Sequence, residues 1–268
     1  MNARVGSVKT ITSTANPIIK AARALHQRKA RNESGLFLAE GHKLVLDALA
    51  VDWLPEMILM LEPGDDGDPG AQLAARVRAA GGDVIFTNGA VMEKLARRDN
   101  PQTVIGVFPQ RLASLATFTH GTVIALEAPR DPGNIGTIIR TADGAGAAGV
   151  ILIGNSADPF GIEAVRATMG SVFHVPIART DLDGFLKFSA RFPGPAIGTH
   201  LEGAVDIRTI GPEEPQILVM GTEQAGMTEE LARHCSQLVR IPMDGAADSL
   251  NLAVATGVAL YELRRAYL

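Results

Sequence analysis

The chain has 268 residues, of which 46% are hydrophobic and 20% charged, a composition typical of a globular protein with one large domain or two modest ones. Its single cysteine, Cys235, excludes an intramolecular disulfide framework and a cysteine-rich metal site, and it favours a reducing, cytoplasmic compartment. The net charge is −4, and the sequence predicts neither a signal peptide nor a membrane-spanning helix.

Alternating helical and extended patterns predict a small α/β domain over residues 1–108. Asn16 and Pro17 are typical of a helix start, and the apolar and basic periodicity that follows them predicts one helix over 18–30. The further elements are predicted, in chain order, as a strand at 35–39, a helix at 41–49, a strand at 53–60, a helix at 71–80, a strand at 83–87, a helix at 89–96 and a strand at 104–108.

A linker is predicted at 109–121, and the alternation then restarts and predicts a second domain over 122–268. Strands that alternate with helices are typical of a parallel sheet covered by helices on both faces. The elements are predicted, in chain order, as a strand at 122–126, a helix at 134–144, a strand at 149–153, a helix at 161–169, a strand at 172–176, a helix at 182–190, strands at 195–199 and 216–220, a helix at 228–235, a strand at 237–241 and a helix at 249–266.

The first 43 residues are basic, although the chain as a whole is acidic. They hold eight Lys and Arg against two Glu, a net charge of +6, which leaves −10 for the remaining residues. A basic segment on an acidic protein predicts an RNA-binding surface, and a solvated helix face is the alternative. The candidate RNA-binding residues in this segment are Lys20, Arg23, Arg28, Lys29 and Arg31.

The glycines at 144, 146 and 149 match the G-x-G-x-x-G pattern of dinucleotide-binding proteins. That pattern binds a dinucleotide only where it follows a strand and opens a helix. Here a predicted helix precedes it and a predicted strand follows it, so we interpret the small residues as a tight helix-to-strand turn. This order argues against a nicotinamide-dependent oxidoreductase.

The segment 127–140 carries the first candidate site residues. Pro129 and Pro132 predict a loop after the strand at 122–126, and Asn134 can cap the helix that follows. Asn134 and Arg140 are six positions apart, close to two helical turns, so we expect them near one face of the helix. The alternative is a helix cap and a surface arginine.

The segment 217–226 runs from an apolar strand into Gly221 and Glu223. Ligands of α/β sheets bind at the carboxyl ends of strands, so this turn is a candidate ligand site. The alternative is a glycine-rich turn in which Glu223 favours the positive end of the next helix.

The segment 239–256 stops a short strand at Pro242 and leads to a helix opened by Asp248 or Ser249, with Asn251 in the first turn. Exposed backbone N–H groups at such a turn suit polar ligand atoms. The alternative is an ordinary helix cap.

Together the three segments resemble the three motifs of the SpoU family of SPOUT methyltransferases, in the family's order, over about 122–268. The N-terminal half is similar to the substrate-binding domain attached to many SpoU enzymes, which resembles ribosomal protein L30e. The matching stretches are Asn134-Ile-Gly136 with Arg140-Thr-Ala, Met220 to Gly226, Ile241-Pro-Met243-Asp-Gly245, Ser249-Leu-Asn251-Leu-Ala-Val-Ala, and, in the N-terminal half, Asn16-Pro17, Lys29-Ala-Arg31, Gly35-Leu-Phe37 and Glu40-Gly41.

This resemblance implies an α/β fold in which a C-terminal parallel-sheet SPOUT domain contains a trefoil knot and a smaller N-terminal α/β domain, like L30e, binds the substrate. It also implies a homodimer, in which one site can draw residues from both chains. The implied cofactor is S-adenosyl-L-methionine, and no carboxylate and histidine cluster has metal-ligand spacing. The implied cofactor-binding residues are Gly221, Ile241 and Leu250, with Thr199, Leu218 and Met243 as neighbours.

The implied reaction is transfer of a methyl group to a ribose 2′-hydroxyl of RNA, with ribosomal RNA, 23S above all, favoured over tRNA. By resemblance Arg140 is the catalytic residue. Because a guanidinium stays protonated, we interpret Arg140 as a phosphate clamp and stabiliser of the developing oxyanion rather than a base. Asn134 would orient the ribose or the methyl group, and Glu223, Ser249 and Asn251 would shape the site through hydrogen bonds.

A non-catalytic RNA-binding protein is an alternative from another class, and it would use the basic segment without S-adenosylmethionine. The joint presence of Asn134, Arg140, Glu223, Ser249 and Asn251 disfavours it.

Overall fold

The computed structural model describes residues 5–65, 67–97, 102–200 and 205–268. Contacts divide the chain into two units, Met1–Gln110 with Phe160–Phe173, and Arg111–Pro159 with His174–Leu268. The break after Gln110 falls within the predicted linker, whereas Phe160–Phe173, predicted in the second domain, packs in the first unit. None of the helices in the described ranges is long and apolar enough to span a membrane.

The elements alternate along the chain, and their bounds follow in chain order. The described strands are β1 (Val8–Thr10), β2 (Leu36–Glu40), β3 (Met57–Leu61), β4 (Asp83–Thr87), β5 (Val104–Pro109), β6 (Thr122–Glu127), β7 (Gly149–Ile153), β8 (Ile177–Thr180), β9 (Ala196–Thr199), β10 (Val205–Asp206), β11 (Gln216–Met220) and β12 (Gln237–Arg240). The described α-helices are α1 (Pro17–Ala24), α2 (Arg28–Ser34), α3 (His42–Ala50), α4 (Pro69–Ala79), α5 (Gly89–Ala96), α6 (Pro132–Gly144), α7 (Ile162–Thr168), α8 (Leu182–Ser189), α9 (Glu229–His234) and α10 (Leu252–Leu263).

The first unit is built on a mixed sheet with the strand order β1-β4-β3-β5-β2. β1 and β3 are parallel to β4, while β5 is antiparallel to both β2 and β3. β1 was not predicted, because its three residues are all exposed and show no apolar alternation. Apolar residues of the sheet and of α1 and α5 share one core, which includes Ile19, Leu38, Leu59, Ile85 and Leu95, all at most 1% exposed.

Aromatic side chains bind the segment Phe160–Phe173 into the first unit. The ring centroids of Phe160 and Phe37 are 4.9 Å apart, and Phe173 lies 5.0 Å from Phe108 and 5.4 Å from Trp53. These tilted and edge-on arrangements are the ones that aromatic pairs prefer.

An ion pair adds to the same attachment. Arg166, on α7, donates from Nε and Nη2 to the two carboxylate oxygens of Glu40, each at 2.9 Å, and from Nη2 to the Ala96 carbonyl at 3.0 Å. The Glu40 side chain is 1% exposed, and a buried carboxylate without such a partner would be costly.

The basic segment forms two helices rather than the one predicted over 18–30. Leu25 ends α1, and Gln27, in an extended conformation, precedes α2. Arg31 is 5% exposed, and its Nη1 donates to the Leu25 carbonyl at 2.7 Å. The guanidinium therefore binds a carbonyl at the break between the helices, and little of Arg31 is exposed to RNA; its predicted role in RNA binding stays a prediction.

The second unit has the parallel sheet that the sequence predicted, in the order β10-β12-β9-β11-β6-β7-β8. Every strand pairing in it is parallel among the described residues. Residues of the predicted linker belong to its core, since Phe118 is 3% exposed and the amide of Ala113 donates to the Ile177 carbonyl. The two-residue strand β10 was too short to be predicted.

Two predictions for the second half of the chain have different outcomes, one for a glycine-rich stretch and one for an apolar stretch. The Gly144–Gly149 stretch is the predicted helix-to-strand turn, and a Cβ on Gly149 would lie 2.6 Å from the Pro176 carbonyl oxygen, so the close approach requires glycine. The predicted strand at 172–176 is wrong. Ser171–Phe173 form a 3-10 turn that delivers Phe173 to the aromatic cluster, and the strand begins only at Ile177.

A buried polar network lies at the amino ends of β6 and β11. The Thr122 hydroxyl donates to Glu214 Oε1 at 2.8 Å, and Arg264 Nη1 donates to the same oxygen at 2.6 Å. The Gln216 amide donates to the Thr122 hydroxyl oxygen and to the Leu263 carbonyl. These bonds tie the end of α10 to the edge of the sheet opposite the strands' carboxyl ends.

Candidate active site

A cavity of about 430 Å³ opens at the carboxyl ends of β9, β11 and β12, against the start of α10. This is the edge where α/β sheets bind ligands, and the volume falls within the range of small-molecule sites. Most of the predicted cofactor and site residues of this region line the cavity, namely Thr199, Gly221, Glu223, Ile241, Met243, Ser249 and Leu250.

Leu218, predicted as a neighbour of the cofactor, does not line the cavity, and its contact with the cofactor stays a prediction. It is fully buried in the middle of β11, between β9 and β6. Two residues along a strand span about 6.6 Å, and it is Met220, at the strand's end, that reaches the cavity. The prediction missed Met220, although it is the first residue of the matched glycine motif.

The loop after β11 folds back tightly on Gly221. Thr222 and Gly226 form a bridge, with the Thr222 amide 2.8 Å from the Gly226 carbonyl oxygen. A Cβ on Gly221 would lie 2.6 Å from that same carbonyl oxygen and closer still to the amide of Met227. Only glycine allows the loop to return at this distance, and the returning loop forms one wall of the cavity.

Three predicted site residues form a continuous hydrogen-bonded chain. The Glu223 carboxylate accepts from the amide of Arg130 at 3.2 Å and from Asn134 Nδ2 at 3.5 Å. Asn134 Oδ1 in turn accepts from Asn251 Nδ2 at 3.0 Å. This series of hydrogen bonds joins the loops after β6 and β11 to the start of α10, so residues separated by more than 100 positions meet at one place.

The two helices at the site are capped by residues other than those predicted. Asp131 caps α6, accepting from the amides of Gly133 and Asn134, which leaves the Asn134 side chain available for its hydrogen bonds with Glu223 and Asn251. Asn251, rather than Asp248 or Ser249, caps α10. Asn251 thus holds the helix with Oδ1 and Asn134 with Nδ2.

Arg140 is exposed on α6 and does not line the cavity. Within the described part of the chain it makes no hydrogen bond and no ion pair, so its guanidinium is available to a ligand. At 3.6 residues per turn, six positions turn the helix by about 240° beyond one full turn, so the expectation that Asn134 and Arg140 share one face is wrong.

Glu127 is a residue of this region that the sequence did not single out. It ends β6, is 6% exposed, and accepts from the amide and the hydroxyl of Thr228 at 2.9 and 2.7 Å. Its position at a strand end beside a predicted ligand loop was the available signal.

The thiol of Cys235 is a packing group rather than a reactive one. Burial, and secondarily the negative charge of Glu127, raises the pKa of Cys235 to about 11. Its Sγ lies 3.8 Å from the Met227 sulfur, behind the loop. No cluster of three His, Cys, Asp or Glu suited to a metal occurs among the residues the structure describes.

The remaining candidate RNA-binding residues differ in exposure. Lys20, Arg28 and Lys29 are exposed, and Lys29 lies 3.8 Å from Glu33. Arg23 is half-buried, and its Nε is buried. These three basic side chains therefore lie at the surface of α1 and α2.

Comparison with known proteins identifies two families along the chain. Residues 121–261 match the SpoU rRNA Methylase family, and residues 16–106 match the MRM3-like substrate binding domain. A 23S rRNA (guanosine(2553)-2'-O)-methyltransferase of Bacillus subtilis, RlmP, is 32% identical over 96% of this chain and 100% of its own length.

Solved structures agree over nearly the whole chain. The AdoMet-bound rRNA methyltransferase of Sinorhizobium meliloti is 49% identical, with a TM-score of 0.91 over 98% of this chain and 100% of that one. The SpoU methyltransferase AviRb of Streptomyces viridochromogenes, in complex with AdoMet, is 28% identical, with a TM-score of 0.85 over 94% and 98%. Because the family model at residues 121–261 matches more than half of its length, the chain belongs to the SpoU rRNA methylase family.

Proposed function

We propose that this chain transfers a methyl group from S-adenosylmethionine to a ribose 2′-hydroxyl of ribosomal RNA. The observation that carries the proposal is the cavity at the strand ends together with the chain of Glu223, Asn134 and Asn251 beside it. Relatives named as 23S rRNA 2′-O-methyltransferases act on a guanosine, a uridine and an adenosine. Their common target is the ribose, which supports sugar chemistry without fixing the nucleotide.

The residues of the cavity fit S-adenosylmethionine. Ile241, Leu250 and Met243 offer apolar surface to an adenine ring, and Thr199 and Ser249 offer hydroxyls to polar atoms. The glycine at 221 lets the loop close into a wall, because a Cβ there would strike the loop's own backbone. When bound, the cofactor would supply an activated sulfonium methyl group for transfer to the ribose 2′-oxygen.

Asn134 is the residue best placed to orient the reacting groups. Its amide is held on one side by Glu223 and on the other by Asn251, so its remaining N–H and lone pair point in a fixed direction. Glu223 accepts from backbone amides and from Asn134, and therefore acts as a support for the site. Prearranged dipoles of this kind lower the barrier because they need no reorganisation during the reaction.

Arg140 acts as a phosphate clamp in this proposal. A guanidinium remains protonated and binds phosphate oxygens through two parallel N–H donors. Its exposure on α6, and the absence of a partner for it in the described ranges, support a role in contacting RNA next to the target ribose. It lies outside the cavity lining, so it contacts RNA or the site of a second subunit.

A homodimer accounts for an exposed apolar stripe on α10. Val254, Val258 and Tyr261 are 52%, 43% and 49% exposed and follow the i, i+4, i+7 spacing of one helix face. The neighbouring face of α10 packs on α6, where Gly257 approaches Thr141. A second copy covering the stripe would remove this apolar surface from water and approach α6, which carries Arg140.

The same proposal covers the substrate surface, the knot and the compartment. Lys20, Arg28 and Lys29 bind RNA phosphates from the first unit. The C-terminal chain forms the trefoil knot of SPOUT enzymes, which is supported by α10 leaving β12 near a sheet edge and packing against α6 and β11. The protein works in the cytoplasm, a reducing compartment that suits a half-buried free thiol.

A methyl-transfer assay tests the function. The full chain is incubated with tritiated S-adenosylmethionine and unmodified transcripts of 23S rRNA, 16S rRNA and tRNA, and the RNA is digested to nucleosides. We expect label in a 2′-O-methyl nucleoside from 23S rRNA. Label in tRNA would favour the tRNA enzyme, and RNA binding without label or cofactor binding would favour the non-catalytic RNA-binding protein.

A further inference from the structure

Two carboxylates tie the loop after β6 to the loop after β11 in opposite directions. Glu127, at the end of β6, binds Thr228, at the far end of the loop after β11. Glu223, near the start of that loop, reaches back to the amides of Arg130 and Asp131, in the loop after β6. We refer to these two sets of hydrogen bonds as the carboxylate clasp.

In the Glu127 half of the clasp, a buried carboxylate accepts charge-assisted hydrogen bonds from Thr228, an exposed residue. β6 and β11 are neighbouring parallel strands, with Leu126 in register with Met220, so Glu127 lies beside the first residue of the loop. Its carboxylate is 6% exposed and accepts two hydrogen bonds from Thr228. Hydrogen bonds to an ionised group are stronger than neutral ones, and a buried carboxylate is stable only when they are made.

Thr228 uses its hydroxyl for this contact and not for its helix. It precedes α9 but makes no side-chain cap bond to that helix. Its hydroxyl donates to Glu127 Oε1 at 2.7 Å. The contact therefore fixes the stem of the cavity-lining loop, and removing the hydroxyl leaves the helix start intact.

Backbone strain shows that the loop after β6 is also held in place. Ala128, directly after Glu127, has φ +42°, in the left-handed region that residues with a Cβ rarely adopt. Such a conformation persists only where surrounding contacts enforce it. The two halves of the clasp lie on either side of Ala128 and determine where Asn134 meets Glu223.

We propose that Glu127 is a positioning residue for methyl transfer, acting through Thr228 to hold the loop 221–228 against the cavity. The proposal rests on the function proposed above and adds to it a residue that touches neither cofactor nor RNA. Loss of the contact frees the loop stem, which loosens the cavity wall and, through Glu223, the Asn134 amide.

The chain offers a matched control at the other end of the same strands. Thr122, which starts β6, donates its hydroxyl to the carboxylate of Glu214 at 2.8 Å, a contact of the same chemistry remote from the cavity. Thr228→Val and Thr122→Val therefore each remove a hydroxyl that donates to a carboxylate. Thr122 also accepts from Gln216, so the control loses at least as many hydrogen bonds.

The experiment measures kcat, KM for S-adenosylmethionine and melting temperature of the full-length variants. We expect Thr228→Val to raise KM for S-adenosylmethionine about tenfold, the factor that corresponds to about 1.4 kcal/mol and to one hydrogen bond to a charged group. We expect Thr122→Val to lower the melting temperature at least as far and to leave KM unchanged. Glu127→Ala should exceed Thr228→Val in its effect on KM.

A conservative variant separates positioning from packing. In Glu127→Gln the amide oxygen can accept from the Thr228 N–H while the amide N–H donates to the hydroxyl oxygen, so we expect KM within about threefold of wild type. An unchanged KM in Thr228→Val, or an equal rise in Thr122→Val, would overturn the proposal. If the wild type binds S-adenosylmethionine but methylates no RNA, the proposed function is wrong. The positioning role of Glu127 is then tested by comparing the calorimetric dissociation constants of S-adenosylmethionine for the same variants. A wild type that does not bind the cofactor would overturn both.

Discussion

Gly221→Ala is the substitution whose effect the structure defines most directly. The added Cβ would lie 2.2 Å from the Met227 amide nitrogen and 2.6 Å from the Gly226 carbonyl oxygen, against about 3.5 Å for an ordinary contact, so the loop must move by about 1 Å or more. The obstacle is backbone, which cannot rotate away as a side chain can. Forced overpacking costs about 1–3 kcal/mol, and a misplacement of 1 Å can reduce the rate about 100-fold.

We therefore expect Gly221→Ala to weaken S-adenosylmethionine binding and methyl transfer by about 100-fold, with a loss of only several degrees in melting temperature. Calorimetry, the tritiated-methyl assay and thermal melting measure the three quantities. Gly211→Ala is the matched control, because a Cβ there meets only the flexible side chain of Glu213, at 3.8 Å. Wild-type cofactor affinity in Gly221→Ala would refute the assignment of this loop as the cavity wall.

Four further outcomes are expected. Arg140→Ala should abolish methyl transfer with cofactor affinity nearly unchanged, and turnover at the wild-type rate would remove Arg140 from the mechanism. Val258→Asp should give a monomer by light scattering that no longer methylates RNA, whereas a dimer would place the interface elsewhere. Lys20→Glu should weaken RNA binding and lower its salt dependence by about one phosphate contact, while Arg31→Ala should lower the melting temperature instead. The pKa of Cys235 is raised from 9.0 to about 11 in the folded protein, so the thiol of the unfolded chain ionises first as the pH rises. The contribution of this residue to the free energy of unfolding is therefore present below pH 9.0 and lost towards pH 11. Cys235→Ala should remove that part of the pH dependence in denaturant titrations.

The sequence predicted regular elements well where a local pattern was long or sharply bounded. β4, α5, β7 and β11 begin and end at the predicted residues. The helix over 18–30 was predicted as one because its apolar periodicity continues through Leu25. The break depends on Arg31 serving the Leu25 carbonyl, a contact that periodicity cannot represent. The apolar run at 172–176 was ambiguous for the same reason, since Phe173 is buried by partners distant in sequence.

The residues of the candidate site also fall into two groups, those that a local motif predicts and those that only tertiary contacts reveal. Gly221, Glu223 and Asn251 were identified because each stands in a motif of fixed spacing. Leu218, predicted beside the cofactor, is buried in the middle of β11, because a motif does not tell how far a side chain lies from the strand end. Glu127 was overlooked because its partner, Thr228, is 101 positions away.

By itself the sequence determined that this protein has a parallel α/β domain, the three motifs of its family and a basic N-terminal segment, because these depend on local spacing and composition. Tertiary structure alone decided which side chains meet. It brought Glu223, Asn134 and Asn251 into hydrogen-bond contact and placed Phe160–Phe173 in the first unit. It also placed two carboxylates so that each accepts hydrogen bonds from the adjacent loop. The physical reason is that hydrogen bonds and burial depend on distances in space, and parallel strands bring their carboxyl ends together from remote parts of the chain.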